Sequence, residues 1–420
     1  MSDGFSAFKA MAVGVGLLLA VTSVAPDLTN GRFDPLSLSK GKGKGKSTLP
    51  GDSTDTGSTS GTTTTDSGGL TGTSGGTTGT TSNSFYSEET MVPSNFDIYS
   101  ELISVPLPAS AAPDVVGAFR FVCSAGQVLP DDPIVYPGQP GKSHLHQFYG
   151  NTSADGNSTY SSLRSNGSST CMSPLNRSAY WMPAMLDGKG NVVRPDHVTI
   201  YYKRRPASDP KCSLTSGDPA AEGNCVPLPN GLRFVFGYDM VTGTPPTGQT
   251  YFNCAGPTAV AGHYPDLPTA LANCPAGEGN RVGAVIKAPA CWDGKNLDSP
   301  NHRDHVAYAA YYNGVYKCPS THTYVIPGFT LQAWWGVAAE DNPKLWSLSS
   351  DAMRPDLPAG STFHADWFGA WDNIIMGMWM DNCINKLLNC SAGDLGNGKM
   401  MKQFAGFSWT ANPRLVPVPQ

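Results

Sequence analysis

Charge is scarce in this chain and nearly balanced: 15% of its residues are Asp, Glu, Lys or Arg and the formal net charge is -5. That leaves no broad cationic field to hold phosphates, which argues against a nucleic-acid partner. Cysteine and tryptophan are both absent ahead of Cys123, so the material for a core and its cross-links lies in the remainder. No C-x-x-C pair occurs, which sets aside a zinc ribbon or a thioredoxin-like motif. No P-loop, H-E-x-x-H or dinucleotide fingerprint occurs either. The apolar stretch Ala10 to Val21 is short of the roughly twenty residues needed to cross a bilayer.

What is present is unevenly distributed. Lys9, the apolar run and small residues at Ser23 and Ala25 have the layout of a secretory signal. Pro26 is an awkward neighbour for cleavage at Ala25, so residues 1–25 read as a signal peptide or a short anchor, and a membrane is met only through that segment if it stays uncleaved. Residues 26–90 read as a flexible tether: KGKGKGK at 40–46 is followed by sequence that is almost wholly Ser, Thr, Gly and Asp, with too little apolar surface to repay the entropy of folding. Gly72-Thr73-Ser74-Gly75-Gly76 matches the G-x-S-x-G pattern by letter only, because neither the strand nor the helix of a nucleophile elbow can form there.

From residue 91 the pattern changes to short β-like runs between Pro/Gly-rich loops: 197–203, 231–238, 281–287, 305–312, 328–335 and 362–368. One segment, about 371–388, repeats Trp371, Ile374, Ile375, Met378 and Trp379 at helical spacing. The expectation is one β-rich α+β domain over 91–420, a sandwich or distorted barrel with long disulfide-linked loops and one C-terminal helix. Ten cysteines, an even number, suit cystines made in an oxidising compartment. Closeness in sequence suggests Cys212 with Cys225, Cys254 with Cys274 and Cys383 with Cys390, leaving Cys123, Cys171, Cys291 and Cys318 for two longer bridges. Sequons begin at Asn151, Asn157, Asn166, Asn176 and Asn389, and the clustered four suggest an exposed, glycosylatable loop over 151–178.

Six of the eight histidines fall in four short polar segments. His144 and His146, two apart, would present two imidazoles on one side of a strand. Asp298 to His305 gathers His302, Arg303, Asp304 and His305 just before a strand. His364 and Asp366 repeat the two-residue spacing beside Trp367, and His322 follows Cys318-Pro319. Each segment alone is equally readable as structural, since a histidine at a strand end is commonly a hydrogen-bonded scaffold residue and Asp304 beside Arg303 suits a surface ion pair. Trp334 and Trp335 cannot both face inward on a regular strand, so one of them, with Trp367, is a candidate platform for a sugar ring.

The runs F-R-F-V-C at Phe119 to Cys123, D-P-I-V-Y-P-G at Asp132 to Gly138, S-H-L-H-Q-F-Y-G-N at Ser143 to Asn151, Y-W-M-P at Tyr180 to Pro183 and N-H-R-D-H-V-A-Y at Asn301 to Tyr308 resemble the domain-of-unknown-function family nineteen-ninety-six. The resemblance spans roughly residues 117 to 385. It implies a secreted or cell-surface domain of the kind found in fungi and bacteria, sometimes attached to carbohydrate-related modules, and it supplies no reaction and no catalytic residues.

Three functions follow from these features. The first is an enzyme on extracellular polysaccharide or glycoconjugate, drawing on His144, His146, His302, Arg303, Asp304, His305, His364 and Asp366. Hydrolysis would use Asp304 and Asp366 as its two carboxylates, and lyase chemistry a histidine base with Arg303 neutralising a uronate. The second is a zinc or copper protein ligated by His144, His146, His305, His364 and Asp366. The third is a non-catalytic glycan-binding or envelope module in which every histidine is structural.

Overall fold

The computed structural model describes residues 92–109 and 115–419; the signal segment and the tether expected over 1–90 lie outside the described residues. Strands dominate and the architecture is β-rich α+β, without a closed barrel. Eleven strands form the two principal sheets: β1 (Gly117–Cys123), β2 (Val128–Leu129), β3 (His146–Gly150), β4 (Ala179–Pro183), β5 (His197–Arg204), β6 (Arg233–Gly237), β7 (Thr250–Ala255), β8 (Arg281–Lys287), β9 (Gly328–Gly336), β10 (His364–Phe368) and β11 (Asn389–Cys390). One sheet has the order β6-β10-β4-β3-β2 and is antiparallel throughout. The other has the order β7-β8-β9-β5-β1-β11 and is antiparallel except where β1 meets β11.

The two sheets share a core because successive strand residues point to opposite faces. In the five-stranded sheet Tyr149, Tyr180, Met182, Phe234, Phe236, Ala365 and Trp367 join the large core, while the alternate residues Phe148, Trp181, Val235 and Phe368 form a second apolar cluster with Ile134, Ala154 and Leu163. Phe329 of β9 lies 5.0 Å from the Trp367 ring and 5.8 Å from Phe236, which ties the sheets together. The Tyr180 and Tyr202 hydroxyls meet at 2.9 Å across the same interior.

The C-terminal helix begins at Asn373–Trp379, where the Asp372 carboxylate accepts the Ile374 and Ile375 N–H groups, and runs on as a wider turn over Met380–Ile384. Capping of this kind contributes about 1 kcal/mol. Asp372 also pairs with buried Arg164 at 3.0 Å. The helix presents Trp379 to Phe119, with ring centroids 5.0 Å apart and nearly parallel.

All ten cysteines are paired. Cys212–Cys225, Cys254–Cys274 and Cys383–Cys390 are the local bridges, and Cys123–Cys171 and Cys291–Cys318 the longer ones. Closing a loop of 27 or 48 residues removes on the order of 4 kcal/mol of chain entropy from the unfolded state.

Two local expectations need correction. The run 305–312 is not one strand: it breaks into Val306–Ala307 and Ala310–Tyr312. Residues 151–178 are not a single exposed loop. They include the short helix α1 (Tyr160–Ser165), and both Asn151 and Asn176 are fully buried, the Asn151 amide donating to Leu163 O and Asn166 O. Asn157, Asn166 and Asn389 remain exposed.

Candidate metal centre

The five-stranded sheet carries polar groups at one end of its outer face. In β10 the alternation sends His364 and Asp366 outward and Ala365 and Trp367 inward. β10 pairs with β6 so that Gly237 lies opposite His364 and Val235 opposite Asp366. Gly237 has φ +92, and a Cβ there would sit 2.8 Å from the His364 Cα, so glycine is required for the close approach. His146 enters from β3, and His144 reaches the same place from the loop before it, its ring centroid 4.1 Å from that of His146.

Three imidazoles converge. His144 Nε2 and His364 Nε2 are 3.1 Å apart. His146 Nδ1 donates to Asp131 O at 2.9 Å and His364 Nδ1 to Thr362 O at 2.8 Å; carbonyl oxygens only accept, so these nitrogens carry the ring protons. His144 Nδ1 faces Ser349 Oγ at 3.1 Å, and that hydroxyl spends its proton on Leu145 O. Each ring therefore turns an unprotonated Nε2 inward, the tautomer arrangement that outer hydrogen bonds impose on metal-ligating histidines.

Burial keeps the rings neutral. It brings His144 down to about 4 and, with His144 alongside, His364 down to about 3; His146 is held well below the ordinary imidazole value by burial and then by both neighbours. Two lone pairs facing each other at 3.1 Å repel unless a positive centre lies between them. Two nitrogens bound at about 2.0 Å to one tetrahedral ion stand roughly 3.3 Å apart, close to what is observed.

Carboxylates complete the group. Asp366 is fully buried, and neither of its side-chain oxygens has a hydrogen-bond partner. His146 Nε2 is likewise buried without a partner. Burial, then the neighbouring Asp132, pushes Asp366 well above the ordinary carboxylate range, with Arg303 opposing. Asp132 is also raised by burial, although its Oδ1 accepts the Ile134 and Val135 N–H groups at 2.9 Å. Orphaned buried polar atoms cost about 1–3 kcal/mol each, and a bound cation satisfies several of them at once. Ligand atoms of His144, His146 and His364 lie within 4.8 Å of one another, as do those of Asp132, His146 and Asp366. With every cysteine in a disulfide, the donor set is imidazole and carboxylate, which suits zinc or copper over thiolate-bound metals.

Asp132, His144, His364 and Asp366, but not His146, line a cavity of about 440 Å³ whose other walls include Tyr136, Met240 and Asn301. Of the other sequence candidates, His302 and Arg303 line this cavity, and Asp304 is exposed with no place in its lining. His305 is not a member of the converging group. It is buried with Nδ1 on Ser299 Oγ and Nε2 on Arg233 O, both at 2.9 Å, so it has no nitrogen left for a ligand. His322 is likewise bonded at both ring nitrogens. Trp335 and Trp367 are core residues, and Trp334 is half-buried with its ring over Gly283; none of the three lines the cavity. Asp132 was not among the sequence candidates. The signal was its place in the D-P-I-V-Y-P-G run, but nothing in the spacing brings it to β10.

The fold and site define a disulfide-bonded domain with two principal sheets among several and a buried His/Asp cluster under an open cavity. A family model described as domain of unknown function (DUF1996) matches residues 132–371, more than half of the chain and both carboxylates of the cluster; the chain belongs to this family. No curated protein and no solved structure matches it.

Proposed function

We propose that this domain is an exported metalloprotein that holds a zinc- or copper-class ion on His144, His146, His364 and Asp366 and uses it on an extracellular polysaccharide or glycoconjugate. The observation that carries the reading is the convergence of His144, His146 and His364, joined at His146 by Asp132 and by Asp366, whose carboxyl oxygens are both unpartnered. Asp132, tied down by its backbone bonds, stands next to this set as a proton acceptor. A bound divalent ion supplies a Lewis acid and a water acidified toward neutrality. The chain's own part is to fix the ring tautomers, to keep the floor dry and to leave the cavity side open. Export is supported by the five disulfides and by the layout of the N-terminal segment. Among the described residues no helix is long and apolar enough to cross a membrane.

The test is elemental analysis of full-length protein purified without chelators, followed by a polysaccharide panel run with metal-loaded and chelator-treated samples. One equivalent of zinc or copper and product that disappears on chelation are expected. A protein that neither retains nor takes up either ion refutes the centre; a loaded protein inert on the whole panel refutes the catalytic half.

One feature favours a second reading, a glycan-binding surface module. The hairpin of Ala310–Tyr312 and Val315–Lys317 exposes Tyr311, Tyr312 and Tyr316, with the Tyr311 and Tyr316 rings 5.2 Å apart. Exposed tyrosines are suited to stacking on sugars. Loss of polysaccharide retention in a Tyr311→Ala/Tyr316→Ala variant, with metal content unchanged, would support that reading.

A further inference from the structure

The cavity above the cluster is lined by two cations, Arg303 and Lys142, together with the carboxylates of Asp132, Asp239 and Asp366. Arg303 donates from Nη1 to Gly237 O at 3.3 Å and from Nη2 to Tyr238 O at 2.9 Å, which sets its guanidinium beside the strand position opposite His364. Lys142 reaches only the Gln139 side chain, at 2.6 Å, and lies over the Tyr136 ring. Neither forms an ion pair among the described residues. The lining carboxylates are occupied otherwise: Asp239 Oδ1 accepts the Val241 and Thr242 N–H groups, Asp132 Oδ1 those of Ile134 and Val135, and Asp366 faces the cluster. With a dication bound, Arg303 and Lys142 against the carboxylates of Asp132, Asp239 and Asp366 leave the lining with a net charge of +1.

We propose that the loaded centre takes a substrate through an oxyanion group, with one oxygen on the ion and the remaining charge met by Arg303 and Lys142. The inference rests on the metal reading above and deepens it from polysaccharide in general to an acidic ligand. The carboxylate of an acidic sugar and a phosphate ester share this chemistry. A guanidinium meets either through parallel N–H donors, and an ammonium meets either as a point charge. A neutral sugar offers neither cation an anionic partner and leaves the net positive charge of the loaded lining unmet.

The experiment uses the full-length protein, stripped and reloaded with one equivalent of Co²⁺, whose visible bands report its coordination. Sodium galacturonate, sodium phosphate and methyl galactoside are titrated separately. The expected result is a saturable band shift with galacturonate or phosphate, the stronger of the two naming the source, and none with methyl galactoside. Lys142→Gln and Arg303→Gln are each expected to load Co²⁺ to the same stoichiometry and to raise the anion's half-saturation about tenfold. Arg303→Gln also removes two bonds to the main chain, so the exposed Lys142→Gln decides the matter if the first variant does not fold. Bands that no anion moves, an equal response to methyl galactoside, or an unchanged anion curve in Lys142→Gln overturn the inference and leave the metal centre standing. Absence of Co²⁺ bands in the unaltered protein overturns both.

Discussion

Two regions of this domain are equally rich in histidine and aspartate, and they differ in whether the hydrogen-bond accounts close. In the segment from Asp298 to His305 they do: His302 Nδ1 donates to Asp298 Oδ1 at 2.8 Å, Arg233 Nε holds the other oxygen at 2.9 Å, and both nitrogens of His305 are bonded. In the cluster of His144, His146, His364 and Asp366 they do not: His146 Nε2 and both Asp366 oxygens lack a partner, and the His144 and His364 Nε2 atoms face each other at 3.1 Å. Composition makes the two regions look alike. What separates them is that the unpartnered atoms of the second region belong to potential metal ligands grouped together.

The comparison breaks first at metal removal. An ion supplied at about a thousand times its dissociation constant adds roughly 4 kcal/mol to stability, so chelation is expected to lower the melting temperature by several degrees in scanning calorimetry; an unchanged temperature would make the two regions equivalent. Next, His146→Ala, His364→Ala and Asp366→Asn should each weaken metal binding about a hundredfold, near 3 kcal/mol, in titration calorimetry. His305→Ala should leave metal affinity as it is and cost about 2 kcal/mol in urea unfolding, because it orphans the groups it bridges. The smallest effect belongs to Asp298. Burial raises this carboxyl, but the His302 hydrogen bond and the Arg233 charge outweigh it and hold its pKa below the ordinary value. A depressed carboxylate stabilises the fold above the unfolded-state pKa and loses that contribution as pH falls through the folded value. The stability gap between the unaltered protein and Asp298→Asn should therefore be about 1 kcal/mol at neutral pH and close below the ordinary carboxylate range.

Legibility in the sequence followed the same line. Gly328–Gly336 alternates buried and half-buried residues along its whole length, and Arg281–Lys287 has turn residues at both ends, so both were readable from pattern. Gly117–Cys123, His146–Gly150 and Ala179–Pro183 are buried on almost every residue; a strand covered on both faces has no period to detect. The pairing of His364 with Asp366 was visible because a strand repeats every two residues. That His144 lies outside its neighbour's strand yet meets His364 depends on a contact 220 residues away, and Asp132 arrives through an Asp-capped turn. His305 looked equivalent to His144 because its partners, Ser299 Oγ and the Arg233 carbonyl, are chosen by tertiary structure.

Asp131 joins two tasks in one residue. Its carboxylate accepts the N–H groups of Gly141 and Gly156, bracing the loop that carries Lys142, while its carbonyl accepts the Nδ1 proton of His146. Whatever presses on that loop from the cavity reaches the anchor of His146, and under the proposed metal reading an ion that draws His146 pulls on the loop. By linkage the coupling must be symmetric: a ligand that tightens the ion's hold is itself held more tightly, by the same factor, when the ion is there. On the proposed reading, cavity and centre form one thermodynamic unit, and an affinity measured at either is to be read with the occupancy of the other.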